Sequence, residues 1–352
     1  MKPLRFGIIG AGGITRLLHL PQLQELGDQV EVAVVQGRKD SRLKRLCAEY
    51  KIPKWTHSED EVISDSTLDA IVVATPHPLH VKPGIAALKA GKHLLMQKPL
   101  CGELAEADAF VAAAEASDRV TYVLPHVSAE LIACRELIRK GAIGKPSGAY
   151  GRTAHGGPEV YYAMVREAFG EQDGDLWFFD AKQASVGALF DMGVYAVSGL
   201  VAVLGSVTKV TGVVRTHDKP TPLEDTATLI LEFASGVTAT AETGWCDPVR
   251  TWRFDFFGTK GALAVNGFNS GDLTRFEPGS YTVEGVPPIP YRVDPKPYDL
   301  GTGTAHFVNC VRTGKQPLLS HARSARHLTE VMLAGLESSK LGRAIAVKSK
   351  AE

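Results

Sequence analysis

The stretch GIIGAGGITRLLHL, residues 7 to 20, decides the fold of this 352-residue chain. It follows an apolar run, leads into a helical pattern, and holds its glycines in the turn between them. In such a turn the first glycine permits the tight bend, and the second lets the backbone approach a pyrophosphate at the N-terminus of the helix. A glycine-rich turn without a ligand is the alternative interpretation. The pattern predicts a dinucleotide-binding turn made of Gly10, Gly12, Gly13, Ile14 and Thr15.

Short apolar runs alternate with helical patterns around this turn. Apolar runs with little polar alternation, separated by helices, are typical of parallel strands that are covered on both faces. The predicted strands are 4–9, 30–35, 69–74, 93–96 and 121–124, and the predicted helices are one that ends at 26, then 42–50, 81–90 and 103–116. We expect residues 1 to 123 to form a doubly wound α/β domain of the Rossmann type.

The remainder of the chain follows a different pattern. Residues 207–217, 225–233, 236–245 and 251–263 alternate apolar and polar side chains, or nearly so, with short turns between them. This pattern predicts an antiparallel sheet with one face packed and the other open. Residues 266–300 are rich in Gly and Pro and are predicted to form long loops. We expect residues 124 to 352 to form an α+β domain, with C-terminal helices over 304–312 and 322–341 that are candidates for packing back on the first domain.

The composition excludes several classes of partner. Lys and Arg together number 39, as do Asp and Glu, so the formal net charge is zero and nothing indicates nucleic acid or an anionic membrane. No apolar run approaches the roughly 20 residues that span a bilayer. The five cysteines are far apart and form no C-x-x-C pair, which argues against a disulfide framework or a zinc site. We expect a cytoplasmic protein without a bound metal.

The turn after the second predicted strand bears on the identity of the dinucleotide. An NAD site usually places an acidic residue there, against the ribose 2′-hydroxyl. This chain instead has Gln36-Gly37-Arg38-Lys39, with no acid before Asp40. Two cations after a small residue suit a 2′-phosphate, so Gly37, Arg38 and Lys39 predict NADP as the preferred cofactor. NAD stays possible if Asp40 reaches the ribose.

Polar residues also follow two later strands of the first domain. Thr75, Pro76, His77 and His80 come directly after the strand DAIVVA, and Gln97 with Lys98 follows the strand HLLM. Ligands of open α/β sheets bind beyond the carboxyl ends of the strands. We therefore expect both segments to line the cofactor crevice, with His80 supporting the loop rather than transferring a proton.

The stretch GALFDMGVYAVSGL, residues 187 to 200, reads as one buried helix that carries two polar groups. Asp191 and Tyr195 are four residues apart, so a continuous helix would point them the same way. A buried carboxylate is costly unless a partner compensates it. Either the two groups face a functional site, or the aspartate caps a neighbouring loop and the tyrosine packs in the core.

Several motifs in the same order resemble the Gfo/Idh/MocA oxidoreductases. The matching segments are GIIGAGGIT, ATPHPLH, AGKHLLMQKP, WFFDAKQASVGALFDMGVY and the C-terminal RTGKQPLLSHARSARHLTEVMLAGLESSKLGR. The resemblance implies a Rossmann domain followed by a domain with an open antiparallel sheet. It further implies oxidation or reduction of sugars, inositols and related compounds with NAD(P).

Two positions depart from the family pattern. The usual Glu-Lys-Pro is Gln97-Lys98-Pro99 here, which keeps the lysine and loses the carboxylate. The usual histidine four residues after Asp191 is Tyr195, as in the branch that contains glucose-fructose oxidoreductase and dihydrodiol dehydrogenase, where the tyrosine is the proposed proton-transfer residue. The resemblance thus implies Tyr195 as proton donor or acceptor, Lys98 as its assistant and Asp191 as an orienting carboxylate.

The resulting expectation is a hydride transfer between a nicotinamide and a sugar, polyol or related hydroxy or carbonyl compound. A tyrosine with an ordinary pKa of about 10 is a poor base at neutral pH, and a nearby ammonium favours the phenolate. His126, His155 and Lys182 are weaker candidates for contacts with the substrate. The alternatives are an enzyme that uses tightly bound NAD(P) transiently for elimination or glycoside cleavage, and a non-catalytic sensor. A homodimer or homotetramer through the open sheet is also expected.

Overall fold

The computed structural model describes residues 2–172, 176–277 and 289–352, which divide into two compact units. The first unit comprises Met1–His126, Pro158–Ser185 and Gly301–Thr329. The second comprises Val127–Gly157, Val186–Leu300 and Glu330–Glu352. The sequence predicts one boundary after residue 123, whereas the contacts also group two later segments with the first unit.

The α-helices of the described residues fall in both units. In chain order they are α1 (Leu20–Glu25), α2 (Asp40–Tyr50), α3 (Glu59–Ser64), α4 (Val81–Lys89), α5 (Leu104–Glu115), α6 (Ala129–Arg139), α7 (Pro158–Phe169), α8 (Ala181–Ala184), α9 (Ala188–Asp191), α10 (Gly193–Leu204), α11 (Gly303–Thr313) and α12 (Ala322–Leu341). A π-helical turn, Thr15–His19, precedes α1, and short 3₁₀ turns occupy Gly27–Gln29, His77–Leu79, Trp177–Phe179 and Lys296–Tyr298.

The first unit contains a parallel sheet of six strands. They are β1 (Leu4–Ile9), β2 (Val30–Gln36), β3 (Lys54–Thr56), β4 (Ala70–Val73), β5 (His93–Met96) and β6 (Thr121–Val123), in the spatial order β3-β2-β1-β4-β5-β6. Every pairing is parallel, and the order reverses between β1 and β4. This is the doubly wound Rossmann arrangement, whose ligands bind where the order reverses. The predicted fold is confirmed, although the sequence reading missed the short β3.

Apolar side chains fill both faces of this sheet, as its parallel strands require. All four residues of β4 are fully buried. Phe6 of β1 packs edge-on against Phe307 of α11, with ring centroids 6.0 Å apart. This contact places a late segment of the chain in the core of the first unit.

The second unit contains a mixed, mostly antiparallel sheet of nine strands. They are β7 (Pro146–Ala154), β8 (Val207–Arg215), β9 (Thr226–Phe233), β10 (Thr238–Gly244), β11 (Thr251–Gly258), β12 (Gly261–Asn266), β13 (Leu273–Glu277), β14 (Ile289–Val293) and β15 (Ile345–Ala346), in the order β14-β13-β12-β11-β7-β10-β9-β8-β15. The pairing of β7 with β10 is parallel, and the others are antiparallel. The predicted open antiparallel sheet is confirmed, with the central β7 as an unpredicted addition.

One face of this sheet is covered by α10. A Cβ built on Gly199 of α10 would lie 2.4 Å from the ring of Phe254, so glycine is needed for this close approach of helix and strand. On the other face Val213, Ile230 and Phe257 remain about half exposed. The sheet is therefore packed on one side and open on the other within its own unit.

The prediction of one continuous helix over residues 187–200 is wrong at a single point. The chain forms α9 and α10 with a break at Met192. The carbonyl of Met192 accepts a hydrogen bond from the Thr153 hydroxyl at 2.6 Å, which ties the break to β7. Asp191 ends α9 while Tyr195 lies in the first turn of α10. The two residues therefore belong to different helices, and their common orientation stays a prediction.

The prediction of long loops over residues 266–300 is wrong for β13 and β14. These strands pair antiparallel with each other, and β13 pairs with β12. Leu273 of β13 is fully buried, which explains why this segment extends the sheet. Residues 278–288 lie outside the described residues.

Within the described parts of the chain, no single helix combines the length and the apolar composition needed to cross a membrane.

Candidate active site

The glycine-rich turn after β1 has the geometry of a pyrophosphate cradle. Gly10 adopts φ +109°, and a Cβ there would lie 2.5 Å from the carbonyl oxygen of Ala74, so only glycine fits. Among the described residues other than its own chain neighbours, no atom lies within 4 Å of the position that a Cβ on Gly12 would take. The backbone at Gly12 is thus open to close approach by a ligand. A dinucleotide pyrophosphate fits this cradle.

Three further residues of the turn contact other parts of the protein. The Thr15 side chain is fully buried and its hydroxyl donates to the carbonyl of Gly10, which closes the turn where a third glycine is usual. Ile14 packs against the core under the sheet. Gly13 lies under α7, because a Cβ there would be 2.3 Å from Val165. Gly10 shapes the turn, with its backbone N–H bound to the Gln36 carbonyl at 3.0 Å, and Gly12 is therefore the glycine that leaves backbone open to a cofactor.

The basic turn after β2 lies beside the glycine-rich turn. A Cβ on Gly37 would come within 2.6 Å of the Ala11 side chain, so the small residue lets the two turns approach. Arg38 and Lys39 are exposed. Asp40 has partners of its own, since its carboxylate lies 3.0 Å from His57 Nε2 and 3.6 Å from Lys44 Nζ. The Arg38 side chain is accessible, Lys39 Nζ lies 3.9 Å from Glu171, and Asp40 is shared between His57 and Lys44.

The loops that follow β4 and β5 are joined by His80. Its Nδ1 lies 2.7 Å from the carbonyl oxygen of Pro99, and its Nε2 lies 2.8 Å from that of Thr75. Burial lowers the pKa of His80, while the two carbonyls act in the opposite direction. The ring holds the turn after Lys98 against the turn after β4, as expected for a supporting residue.

Gln97 ties the lysine turn to the π-helical turn. Its side-chain oxygen accepts from the backbone N–H of Lys98 at 2.9 Å, which leaves its amide nitrogen to donate to Nε2 of His19 at 3.0 Å. His19 must therefore be the neutral tautomer with its proton on Nδ1. Burial lowers its pKa to about 4, which agrees with this assignment. A neutral pair stands where the family pattern has a carboxylate.

The remaining candidates of the first unit have dissimilar surroundings. His77 is buried and meets Trp177 and Phe178 edge-on, at centroid distances of 4.9 and 5.1 Å. Pro76 lies directly before the 3₁₀ turn that His77 begins. His126 accepts or donates a 2.6 Å hydrogen bond with the Tyr122 hydroxyl. Lys182 is exposed on α8, where its backbone N–H donates to Asp180. Burial and packing thus favour His77 and His126 as ordered groups over Lys182.

In the second unit, Asp191 is the centre of a small polar cluster. The indole N–H of Trp245 donates to Asp191 Oδ2 at 3.0 Å, and His155 Nε2 lies 3.7 Å from the same oxygen. His155 Nδ1 accepts the backbone N–H of Gly157 at 2.8 Å, so the neutral ring carries its proton on Nε2, toward the carboxylate. Asp191 is about nine-tenths buried. Trp245 and His155 thus offset the free-energy cost of burying the Asp191 carboxylate.

Tyr195 lies beside an aromatic side chain at the same end of the sheet. Its ring centroid is 5.2 Å from that of Trp252, at the start of β11. Sheet register brings the ends of β7 and β10 next to this point, because Ala154 pairs with both Gly244 and Thr251. The unit therefore gathers His155, Asp191 and Tyr195 near one end of the sheet.

Sequence reasoning missed Trp245 and Trp252. No spacing rule links them to residues 50 to 60 positions earlier, and an isolated tryptophan in an alternating segment reads as core. Asp191 was the residue that could have indicated them, because a buried carboxylate needs a hydrogen-bond donor and its own segment offers few. Among the described residues there is no group of three or more His, Cys, Asp or Glu arranged to hold a metal ion.

Two family models match the chain, and together they cover most of it. The model described as "Oxidoreductase family, NAD-binding Rossmann fold" matches residues 4–124. The model of the GFO/IDH/MocA C-terminal domain matches residues 131–264. Each match falls on the sheet that the structure shows for that part of the chain.

Relatives of known name are similar over different shares of the chain. Trans-1,2-dihydrobenzene-1,2-diol dehydrogenase of Bos taurus is 28% identical over 66% of this chain and 66% of its own length, just under two thirds of that protein. The 1,5-anhydro-D-fructose reductase of Ensifer adhaerens is 28% identical over 74% of each chain. D-xylose 1-dehydrogenase (NADP(+)) 2 of Haloferax volcanii is 26% identical over 97% of this chain and 99% of its own.

Solved structures share the fold at lower identity. Levoglucosan dehydrogenase in complex with NADH and L-sorbose superposes with a TM-score of 0.80 at 19% identity, over 99% of this chain and 100% of that one. Aldose-aldose oxidoreductase from Caulobacter crescentus gives a TM-score of 0.80 at 22% identity, over 98% and 99%. As its motifs predict, the chain belongs to the GFO/IDH/MocA oxidoreductase family and carries that family's NAD-binding Rossmann domain.

Proposed function

We propose that this protein transfers a hydride between NAD(P) and a sugar, polyol or related hydroxy or carbonyl compound. Asp191 carries the proposal: it is a buried carboxylate in an otherwise apolar segment, anchored by Trp245 and close in sequence to Tyr195. A purely structural helix would gain nothing from this costly group. The open cradle at Gly12 supports the cofactor part of the proposal.

The chain's own groups would hold the dinucleotide at the carboxyl end of the first sheet. Backbone at Gly12 receives the pyrophosphate in the turn that Gly10 shapes, while Arg38 and Lys39 face the ribose 2′-position. We infer NADP as the preferred form, because Arg38 is exposed and Asp40 is engaged by His57 and Lys44. When bound, NAD(P) supplies the hydride acceptor or donor.

The protein's chemical task is to move the hydroxyl proton of the substrate. We assign Tyr195 as the proton donor or acceptor and Lys98 as the cation that favours its phenolate. Asp191 orients the polar groups at the reacting centre, and Trp245 holds the carboxylate in place. His126, His155 and Lys182 are assigned as contacts for substrate hydroxyls, with His155 the best ordered of them through Gly157.

The substrate class follows from the names of the relatives. They are described as acting on a dihydrodiol, on 1,5-anhydro-D-fructose and on D-xylose. All three are small compounds with hydroxyl or carbonyl groups on adjacent carbons, and we propose the same class here.

The test is a spectrophotometric screen for hydride transfer with NADP and NAD. The panel contains D-xylose, levoglucosan, trans-1,2-dihydrobenzene-1,2-diol and 1,5-anhydro-D-fructose, the last with the reduced cofactors. We expect turnover of added cofactor with at least one member, lost in Tyr195→Phe. Cofactor that stays bound through purification without net turnover would instead favour transient use of NAD(P). Cofactor binding without any chemistry would favour a sensor.

We also propose a homodimer or homotetramer that buries the open face of the second sheet. Val213, Ile230 and Phe257 expose about half of their side chains there, an apolar surface that a symmetric partner would cover. Light scattering at micromolar concentration is expected to show an assembly that Ile230→Glu dissociates. Val249→Glu, at an exposed apolar residue outside the strands, should leave it intact. A wild-type monomer would contradict this.

A further inference from the structure

The segment after α7 reaches the helix that follows the basic turn. The ring of Phe169, the last residue of α7, is contacted by two guanidinium groups, with its centroid 4.7 Å from Cζ of Arg42 and 5.5 Å from Cζ of Arg16. Arg45 donates to the backbone carbonyl of Phe169 at 2.9 Å. These contacts, all inside the first unit, hold the end of α7 on α2, directly beside the basic turn.

Glu171 completes this contact with a carboxylate. Arg42 binds it through two nitrogens, with Nε at 2.7 Å, and Lys39 Nζ lies 3.9 Å from Oε2. The Glu171 and Arg42 side chains are only 16% and 17% exposed, whereas Lys39 is 49% exposed. The hydrogen bond from Arg42 holds the pKa of Glu171 below its usual value. Glu171 is therefore a fixed negative charge.

The position of this charge matters for the cofactor. Lys39 is one of the two cations that face the ribose 2′-position in the proposed dinucleotide site. A 2′-phosphate carries nearly two negative charges, and it would have to share Lys39 with the Glu171 carboxylate. Like charges on one cation oppose each other. A ribose that carries only a 2′-hydroxyl would not experience this opposition.

We propose that Glu171 is a specificity-determining residue for the cofactor: it occupies Lys39 and Arg42 and so limits the preference for a 2′-phosphate. This rests on the proposed function, since it requires the dinucleotide to bind at the basic turn. Arg38 supplies the preference for the phosphate, and Glu171 sets its upper limit. Removal of the carboxylate would release two cations next to the phosphate.

The experiment compares two nucleotides that differ only in the 2′-phosphate. Adenosine 2′,5′-bisphosphate and adenosine 5′-monophosphate are titrated by calorimetry, at low salt, into the wild-type chain and Glu171→Gln. The affinity ratio in favour of the bisphosphate is expected to rise about three- to tenfold in the variant, an effect sized for partly exposed charges. NADPH and NADH should show the same direction.

Two matched variants separate electrostatics from structure. Glu49→Gln removes another carboxylate of the first unit that pairs with an arginine, Arg16, and it should leave the ratio unchanged. In a Lys39→Gln background, Glu171→Gln should change the ratio less than in the wild type, because one of the released cations is missing.

The outcomes distinguish this inference from the proposed function. If Glu171 only anchors α7, its removal will change both affinities by the same factor, and an unchanged ratio overturns the inference alone. If the wild-type chain binds none of the four ligands, the proposed function fails and this inference fails with it.

Discussion

The candidate sites of the two units differ in the groups that form them, backbone in one and side chains in the other. In the first unit the candidate cofactor site depends mainly on backbone. The backbone at Gly12 is open, and the turns after β4 and β5 are held together by His80 through the carbonyls of Thr75 and Pro99. In the second unit the candidate catalytic cluster consists of side chains, with Asp191 held by Trp245 and Tyr195 packed on Trp252.

This difference determines which of the two sites can be predicted from local sequence. A backbone site leaves its mark locally, because a glycine at a fixed place after a strand is needed for the turn itself. A side-chain cluster is assembled by sheet register, which joins residues that no local pattern connects. Variants that affect one of these ends and leave the other unchanged test whether the two sites act separately.

The largest effect is expected for Tyr195→Phe. Loss of the proton-transfer group should lower kcat about 10²- to 10⁴-fold, while the affinity for NADPH stays within about twofold because the cofactor site lies in the first unit. Steady-state kinetics and a fluorescence titration measure the two quantities. Tyr150→Phe, which removes a hydroxyl that donates to Glu242 in the same unit, is the control and should retain activity. Full turnover in Tyr195→Phe would move the proton transfer to another group.

The next effect is expected at the other end, for Arg38→Asp. Replacing a cation by an anion beside the 2′-phosphate should weaken NADPH binding about 10- to 100-fold, the size expected for lost charge-assisted hydrogen bonds. NADH binding should change far less. Parallel titrations with both cofactors give the ratio. An unchanged ratio would show that the basic turn is merely solvated.

A third effect concerns the neutral pair behind Lys98. Burial lowers the pKa of His19 to about 4 from an ordinary 6.5, so between these values the unfolded chain binds more protons than the folded one. Stability should therefore fall as the pH falls from 7 to 5, with His19 contributing about 2 kcal/mol of the loss.

Urea denaturation at the two pH values tests this. The wild-type unfolding free energy should drop by about 2 kcal/mol more than that of His19→Asn, whose amide oxygen can still accept from Gln97. The other buried histidines contribute equally to both proteins and cancel. Equal drops would mean that His19 titrates normally and that Gln97 faces a charged ring.

The smallest effect in this series is expected for Trp245→Phe. An aromatic ring is kept, although a smaller one, and the indole N–H that binds Asp191 is lost, so kcat/KM should fall about tenfold, as for one hydrogen bond to a charged group. Trp252→Phe is the matched control, since within the described residues the Trp252 N–H is buried without a hydrogen-bond partner. Trp252→Phe should lower kcat/KM less than Trp245→Phe does. A larger loss in Trp252→Phe would place the functional contact at Trp252.

The fold was largely accessible from the sequence, for a physical reason. Parallel strands buried on both faces must be apolar throughout, and open antiparallel strands must alternate, so residues 70–73 and 226–233 show their environments directly. The errors fall where tertiary contacts override local pattern. The apolar pattern predicts a continuous helix where the chain has a break at Met192, whose carbonyl accepts a hydrogen bond from the Thr153 hydroxyl. The Gly-Pro-rich composition predicts loops where β13 forms with a buried Leu273.

The candidate site divides in the same way. Gly10, Gly12 and Lys98 could be proposed from the sequence because their positions follow strand ends, and their roles stay predictions. Trp245, and the pairing of Glu171 with Lys39 over more than 130 residues, could not be found, since only the folded chain brings these groups together.

The most direct test of the central claim is a fluorescence titration of the purified chain with NADPH and, separately, NADH, after any carried-over cofactor has been removed. We predict saturable binding of both, with the higher affinity for NADPH, since the cradle at Gly12 is open and Arg38 is exposed. Binding of neither cofactor by the folded chain would contradict the account and leave the fold without its proposed chemistry.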